Sequence, residues 1–258
     1  MNLETYRCFG SNADTGNEAL VIRNFSHSES DRLNLAKEQN KNTCVFIDDI
    51  KSKTVLDFYY PHARSPLCIH ATLAAGCSLL KENSSDSLVV YSALNNQEIC
   101  INKYEHDFFV SLEKTSIHTS VPDIETVKEL LNINHNQCIR NYSFHSVGSI
   151  KLMVEMDSVE NLYALKPALK KILKWNKDHK VNGIYAYFKH HEGHFTGRNF
   201  NHLHPSLEDA ATGVAAGALA SLANDNFILN QGTHLNNPCV IKVLQLDNNL
   251  VQIGGQVI

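Results

Sequence analysis

The chain has no excess of either charge sign, no long apolar run and no paired cysteine motif, and each absence excludes a class of protein. Its 258 residues carry 23 Lys+Arg against 27 Asp+Glu, a formal net charge of −4. Bulk electrostatics therefore give no reason to expect a nucleic-acid partner. No stretch approaches the ~20 apolar residues that span a bilayer, so no membrane partner is expected. The opening residues, Met1 to Arg7, lack the apolar core of a secretory leader, and the expected setting is the cytoplasm. The seven cysteines, at 8, 44, 68, 77, 100, 138 and 239, are odd in number, widely spaced and free of CxxC. That pattern argues against a disulfide framework and a zinc-finger site, and reads as reduced thiols buried like small hydrophobes.

What is present is a globular composition, 43% hydrophobic and 19% charged. At ~150 residues per domain the length allows one large domain or two small ones. Short runs rich in β-branched and aromatic residues predict strands over 43–47, 54–60, 87–92, 98–103, 107–112, 149–156, 183–188 and 240–246. Apolar periodicity predicts helices over 31–40, 67–81, 124–131, 159–178 and 209–224, with Pro167 starting a new turn or kinking the fourth. Strands in runs, without strict alternation with helices, favour an α+β fold over a doubly wound parallel sheet.

Two helices stand apart. The segments 67–80 and 209–222 are apolar almost all round and rich in Ala and Gly, so each is expected to be buried on every side. They also resemble each other: Ile69, His70, Ala71, Thr72 parallels Asp209, Ala210, Ala211, Thr212, about half a chain away. Together with the strand runs this suggests a duplicated unit, a mostly antiparallel, barrel-like sheet around a central helix. The implied division is 1–118, with central helix about 67–81, and 119–258, with central helix about 209–224. The last strand is a candidate to return to the first domain.

The same residues carry a resemblance. Pro66, Leu67, Cys68, Ile69, His70, Ala71, Thr72, Leu73, Ala74 resembles P-L-C-G-H-A-T-L-A, and Glu208, Asp209, Ala210, Ala211, Thr212, Gly213, Val214, Ala215 resembles E-D-P-A-T-G-S-A. The turn Gly16-Asn17, Arg198 with Phe200, and the closing Gly254-Gly255 fall in the right order. This is the pattern of the phenazine-biosynthesis PhzF-like family, related in fold to diaminopimelate epimerase. The resemblance implies two pseudo-symmetric barrel-plus-helix domains with the active site in the cleft between them. It also implies cofactor-independent isomerisation by proton transfer on a small carboxylate-bearing metabolite, and a homodimer.

Family members use a glutamate in N-x-S-E-T, the His of G-H-A-T, the Asp of D-P-A-T-G and the Ser of T-G-S. His70 and Asp209 match and are the candidate catalytic residues; the glutamate position holds Thr43, the serine position Val214, and the glycine before His70 is Ile69. The candidate substrate-binding set is Asn17, Thr43, Ile69, Ala71, Arg198, Thr212, Gly213 and Val214. Physically, an isomerase of this kind needs a base, an acid and stabilisation of the anion between them. A helix N-terminus, with unpaired N–H groups, favours negative charge. His70 can shuttle a proton or donate to a carboxylate. Asp209 reads equally as an N-cap. Arg198 can fork onto a substrate carboxylate or form a surface or interdomain ion pair. Glu208 reads as a rim charge or cap partner, Glu38 as a solvated helix face. Thr43 cannot act as a base near pH 7, so a catalytically impaired member that binds a metabolite or a partner is the alternative. The histidines at 190, 191, 194, 202 and 204 invite a metal reading, but their glycine and aromatic neighbours suggest strand and loop, and they read as incidental.

Overall fold

Period-two burial organises the molecule. In a computed structural model, which describes residues 1–81, 85–134, 138–191, 193–200, 208–223, 225–246 and 249–258, the chain divides into two units. Unit 1 comprises 1–111 with 253–258, and unit 2 comprises 112–252. Among the described residues each is a sheet with one helix against its inner face and, against its outer face, one further helix in unit 1 and three in unit 2.

Unit 1 holds β1 (Asn2–Cys8), β2 (Asn17–Arg23), α1 (Glu29–Gln39), β3 (Thr43–Ile50), β4 (Lys53–Tyr60), β5 (Ala63–Ser65), α2 (Ile69–Leu80), β6 (Ser87–Ser92), β7 (Glu98–Tyr104) and β8 (Asp107–Glu113), which runs past the division point. The order is β1-β2-β3-β4-β6-β7-β8, with β5 paired to β4. The β2–β3 and β4–β6 pairs are parallel and each needs a helical crossover, supplied by α1 and α2; the other pairs are antiparallel. Successive strand residues face opposite ways. Leu20, Ile22, Cys44 and Phe46 pack with Ala36, Leu33 and Leu35 of α1, which leaves Ala19, Val21, Thr43 and Val45, all buried, for the α2 side. The α2 helix touches β1 and β7 as well as the strands between them, so the sheet curls around it. Of its residues only Leu79 is not buried.

Unit 2 repeats the plan. It holds α3 (Ile124–Leu131), β9 (Ile139–His145), β10 (Lys151–Met156), α4 (Val159–Ala164), α5 (Leu169–His179), β11 (Ile184–His191), β12 (His194–Phe200), β13 (Glu208–Asp209), α6 (Gly213–Ala223), β14 (Phe227–Gln231), β15 (Cys239–Gln245) and the start of β16 (Leu250–Gln256). The order is β9-β10-β11-β12-β14-β15-β16, with β13 paired to β12. Again the second pair, β10–β11, and the fourth, β12–β14, are parallel. Leu152, Val154, Met156, Ile184, Ala186 and Phe200 pack outward with residues of α3, α4 and α5. The α6 helix contacts β15 at one end of the order and β9 and β10 at the other. The fold is α+β, with two barrel-like sheets each wrapped on a central helix.

Two helix boundaries differ from the sequence reading. The 159–178 stretch is two helices, because Pro167 breaks it and its carbonyl accepts the Leu169 N–H. The last central helix begins at Gly213 rather than 209: Asp209 is in β13, and the first helical N–H groups, of Ala215 and Ala216, bond to the Thr212 carbonyl. All seven cysteines are free thiols, five of them buried. Among the described residues no helix is long and apolar enough to cross a membrane.

Candidate functional site

In unit 1 the chain enters β2 through Gly16, whose φ of +109° and closeness to the Cys8 carbonyl, 2.6 Å from where a Cβ would lie, admit only glycine. That turn delivers Asn17, buried, as the first residue of β2. Thr43 opens β3 on the inner face and is fully buried. Cys68 caps α2, and its carbonyl accepts both the Thr72 hydroxyl at 2.8 Å and the Thr72 N–H. Ile69, His70 and Ala71 form the buried first turn.

These pieces meet at one sulfur. The Cys68 Sγ lies 3.4 Å from Thr43 Oγ1 and 3.4 Å from His70 Nδ1, and the Cys8 thiol donates to the His70 carbonyl at 3.1 Å. Burial alone would push the Cys68 thiol up. The charge of His70, hydrogen bonds to His70 and Thr43, and the Ala71 N–H outweigh it and bring Cys68 down to about 7. Two other buried thiols go the other way: burial pushes Cys44 up to about 11 and Cys8 well above the ordinary thiol range.

In unit 2, parity decides which side chains share the inner face. Phe200 packs outward, so Arg198 faces outward and Asn199 inward. Arg198 forks onto Glu208, Nε to Oε1 at 3.0 Å and Nη2 to Oε2 at 2.8 Å, and its Nη1 donates to the carbonyls of Leu162, Tyr163 and Leu165. This corrects the expectation that Arg198 holds a substrate carboxylate: its guanidinium ties β12 to β13 and to the end of α4. Glu208 is the other half of that bridge rather than a rim charge.

On the inner face Asp209 pairs in register with Asn199. Its Oδ2 accepts the Thr212 hydroxyl at 2.6 Å and its Oδ1 the Ala211 N–H at 3.4 Å. Gln231 Nε2 donates to the Asp209 carbonyl at 2.7 Å and to Thr212 Oγ1 at 3.2 Å, while the Tyr185 hydroxyl donates to Gln231 Oε1 at 3.0 Å. Tyr185 fits because residue 197 is glycine; a Cβ there would sit 2.1 Å from its hydroxyl. Burial, then the charges of Asp209 and Glu208, hold Tyr185 well above the ordinary phenol range, so it stays a donor. Gly213 and Val214 start α6, the first buried and the second half-buried.

One neighbour of Asp209 has no counterpart in the sequence reading. Lys151, the first residue of β10, is 1% exposed and donates to Asn199 Oδ1 at 2.9 Å. Burial pulls its ammonium down and the Asp209 carboxylate partly restores it, leaving it at about 8. A lysine at a strand end reads from sequence as solvated, so no signal marked it. Cys68 carried one, the i, i+2 spacing to His70.

The histidines belong to the β11–β12 hairpin. His190 Nε2 is 2.8 Å from Thr196 Oγ1, and Asn230 Nδ2 donates to His194 Nε2 at 2.9 Å. Among the described residues no group of His, Cys, Asp or Glu could hold a metal ion; His202 and His204 lie outside the described residues.

Residues 6–255 match the model of a phenazine biosynthesis-like protein family. An uncharacterized isomerase of Clostridium acetobutylicum is 28% identical over 235 residues, covering 85% of this chain and 78% of that one. The crystal structure of a PhzF-family phenazine biosynthesis protein from Enterococcus faecalis is similar with a TM-score of 0.78 at 18% identity, covering 99% and 95% of the two chains. A probable proline racemase from Agrobacterium radiobacter shares the fold more distantly, with a TM-score of 0.63 at 8% identity over 99% and 90%.

Proposed function

Because the chain belongs to the phenazine biosynthesis-like protein family, we propose that it is an isomerase that moves a proton between carbons of a small carboxylate-bearing metabolite, without a cofactor. The isomerase class has the support of the family match and of a relative named as an isomerase. Asp209 and His70 are the proton-handling residues in this reading, with Asn17, Thr43, Ile69, Ala71, Thr212, Gly213 and Val214 around them.

The observation that carries the reading is the Thr43–Cys68–His70 contact. A proton shift at carbon needs a base, and threonine in the glutamate position removes one. Here the threonine hydroxyl holds a thiol, and that thiol titrates near neutral pH beside an imidazole. The pair can take a proton from the carbon next to an unsaturated bond. Asp209, steadied by Thr212 and the Ala211 N–H, serves the other side of the transfer. The C–H electrons become a new double bond to the middle carbon, and the electrons of the old double bond form a C–H bond to the proton delivered at its far carbon, so no oxidant or reductant is consumed.

Incubation with candidate unsaturated and α-substituted acids in deuterated water, read by mass spectrometry, tests this. Label is expected to enter with the wild type and to slow at least a hundredfold with Asp209→Asn. Equal rates in both proteins contradict the role of Asp209. A second reading, a binding protein without turnover, draws on the large Ile69 side chain at a position where the family has glycine; it predicts acids that bind and exchange no hydrogen. The homodimer and the cytoplasmic setting belong to the same proposal. Sedimentation at twice the 28.9 kDa chain mass and cell fractionation test them.

A further inference from the structure

With Arg198 committed to Glu208 and to carbonyls of the fold, the Asp209 site needs another group to hold an anionic substrate. An ammonium has three donors, and a buried one is costly unless they are used. Lys151 spends one, on Asn199 Oδ1; among the described residues no second acceptor bonds it. The charged group acting on it is Asp209, from β13. The other polar side chains gathered near Asp209 are neutral: Asn199 from β12, Tyr185 from β11, Gln231 from β14 and Thr212 before α6. Among the described residues two N–H groups of a fully buried cation are thus unspent, on the Asn199 side chain whose residue pairs in register with Asp209.

We infer that Lys151 is the anchor for the substrate's carboxylate in the Asp209 site. The ammonium donates one of its free N–H groups to a carboxylate oxygen and keeps Asn199 as its fixed partner, which aims it. The inference rests on the isomerase reading for its choice of ligand, but its geometry is independent of turnover.

The test follows the Lys151 side chain in the full-length protein, labelled with 13C and 15N at lysine. Its signal is assigned by its loss in Lys151→Met, or in Lys151→Gln should the first variant not fold. Titration is run at fixed ionic strength in chloride, in acetate and with uncharged acetamide. Acetate is expected to shift the Lys151 signal and to raise its titration midpoint by about one unit, a tenfold gain in proton affinity, while acetamide matches chloride. An unchanged midpoint in acetate overturns the inference, as does acetate binding of equal strength in Lys151→Met. The two readings fail separately. If hydrogen exchange proceeds while Lys151 ignores acetate, the anchor is wrong and the isomerase stands. If Lys151 answers acetate and no acid exchanges hydrogen, the anchor stands and the isomerase is wrong.

Discussion

The starts of the two central helices are built on one plan with opposite chemistry. Both follow an antiparallel hairpin and a short extra strand, and both bring a helix in from a parallel crossover. At α2 the polar groups are soft: a thiol, an imidazole and a hydroxyl around one sulfur. At α6 they are hard and charged, a carboxylate with a buried ammonium close by. Duplication therefore supplies the frame, two buried helix starts in sheets that curl, and leaves each copy free to carry a different kind of proton-holding group. Even the first residues of β2 and β10, equivalent in the two plans, are an amide in one unit, Asn17, and an ammonium in the other, Lys151.

The contrast can be broken at four points. The largest effect is expected from His70→Asn, which removes the leading influence that lowers Cys68; hydrogen exchange should fall by about 10²–10⁴. The thiolate absorbance near 240 nm should lose its step at about 7 and move toward the range of Cys44. A step that stays in place would separate the thiol from the imidazole. Next, Arg198→Ala takes from the buried Glu208 its bidentate partner and leaves it only His234 Nε2 at 3.1 Å among the described residues, and should cost about 3 kcal/mol in denaturant unfolding. A variant as stable as the wild type would undo the assignment of Arg198 to the fold.

Third is the pH dependence of Lys151. Its folded-state value is lowered from 10.5 to about 8, so between those limits the unfolded chain binds more protons and stability rises with pH. Against Lys151→Met, the wild type should gain about 3 kcal/mol from pH 8 to pH 10.5. A pH-independent difference would mean that the ammonium is solvated. The smallest effect is expected from Thr212→Val, which removes the hydrogen bond to Asp209 and the one accepted from Gln231, at about 1–2 kcal/mol, and should leave unit 1 untouched by local hydrogen exchange.

Much of the frame can be read from sequence because it depends on patterns a few residues long. The reading of 124–131 coincides with α3, where Asp123 caps an amphipathic turn and its side chain accepts the Thr126 N–H. Proline 167 marks its own break. Residues 67–80 announce a helix without a polar face, and α2 is buried on nearly all sides. The strands that escape notice, such as β1, β9 and β14, mix polar residues into both faces or are short. The site is harder to read, since its membership turns on single-residue parity across strands. Arg198 and Asn199 are neighbours in sequence and lie on opposite faces, and only pairing between β12 and β13 decides which one joins Asp209. Lys151 and Tyr185 feel the charge of that carboxylate from strands 24 or more positions away in the chain, a distance over which no local motif operates. The start of α6 at Gly213 likewise depends on the Asp209–Thr212 bond, which a helical periodicity does not contain.

Whether Cys68 takes over the work of the missing glutamate is the central question. The pH dependence of hydrogen exchange in wild type and Cys68→Ser decides it, because serine keeps a hydrogen-bonding group beside His70 and Thr43 and does not ionise near neutral pH. The wild-type profile should bend near the thiol's value of about 7, and the serine variant should lose both the bend and about a hundredfold in rate. Two superimposable profiles would contradict the account.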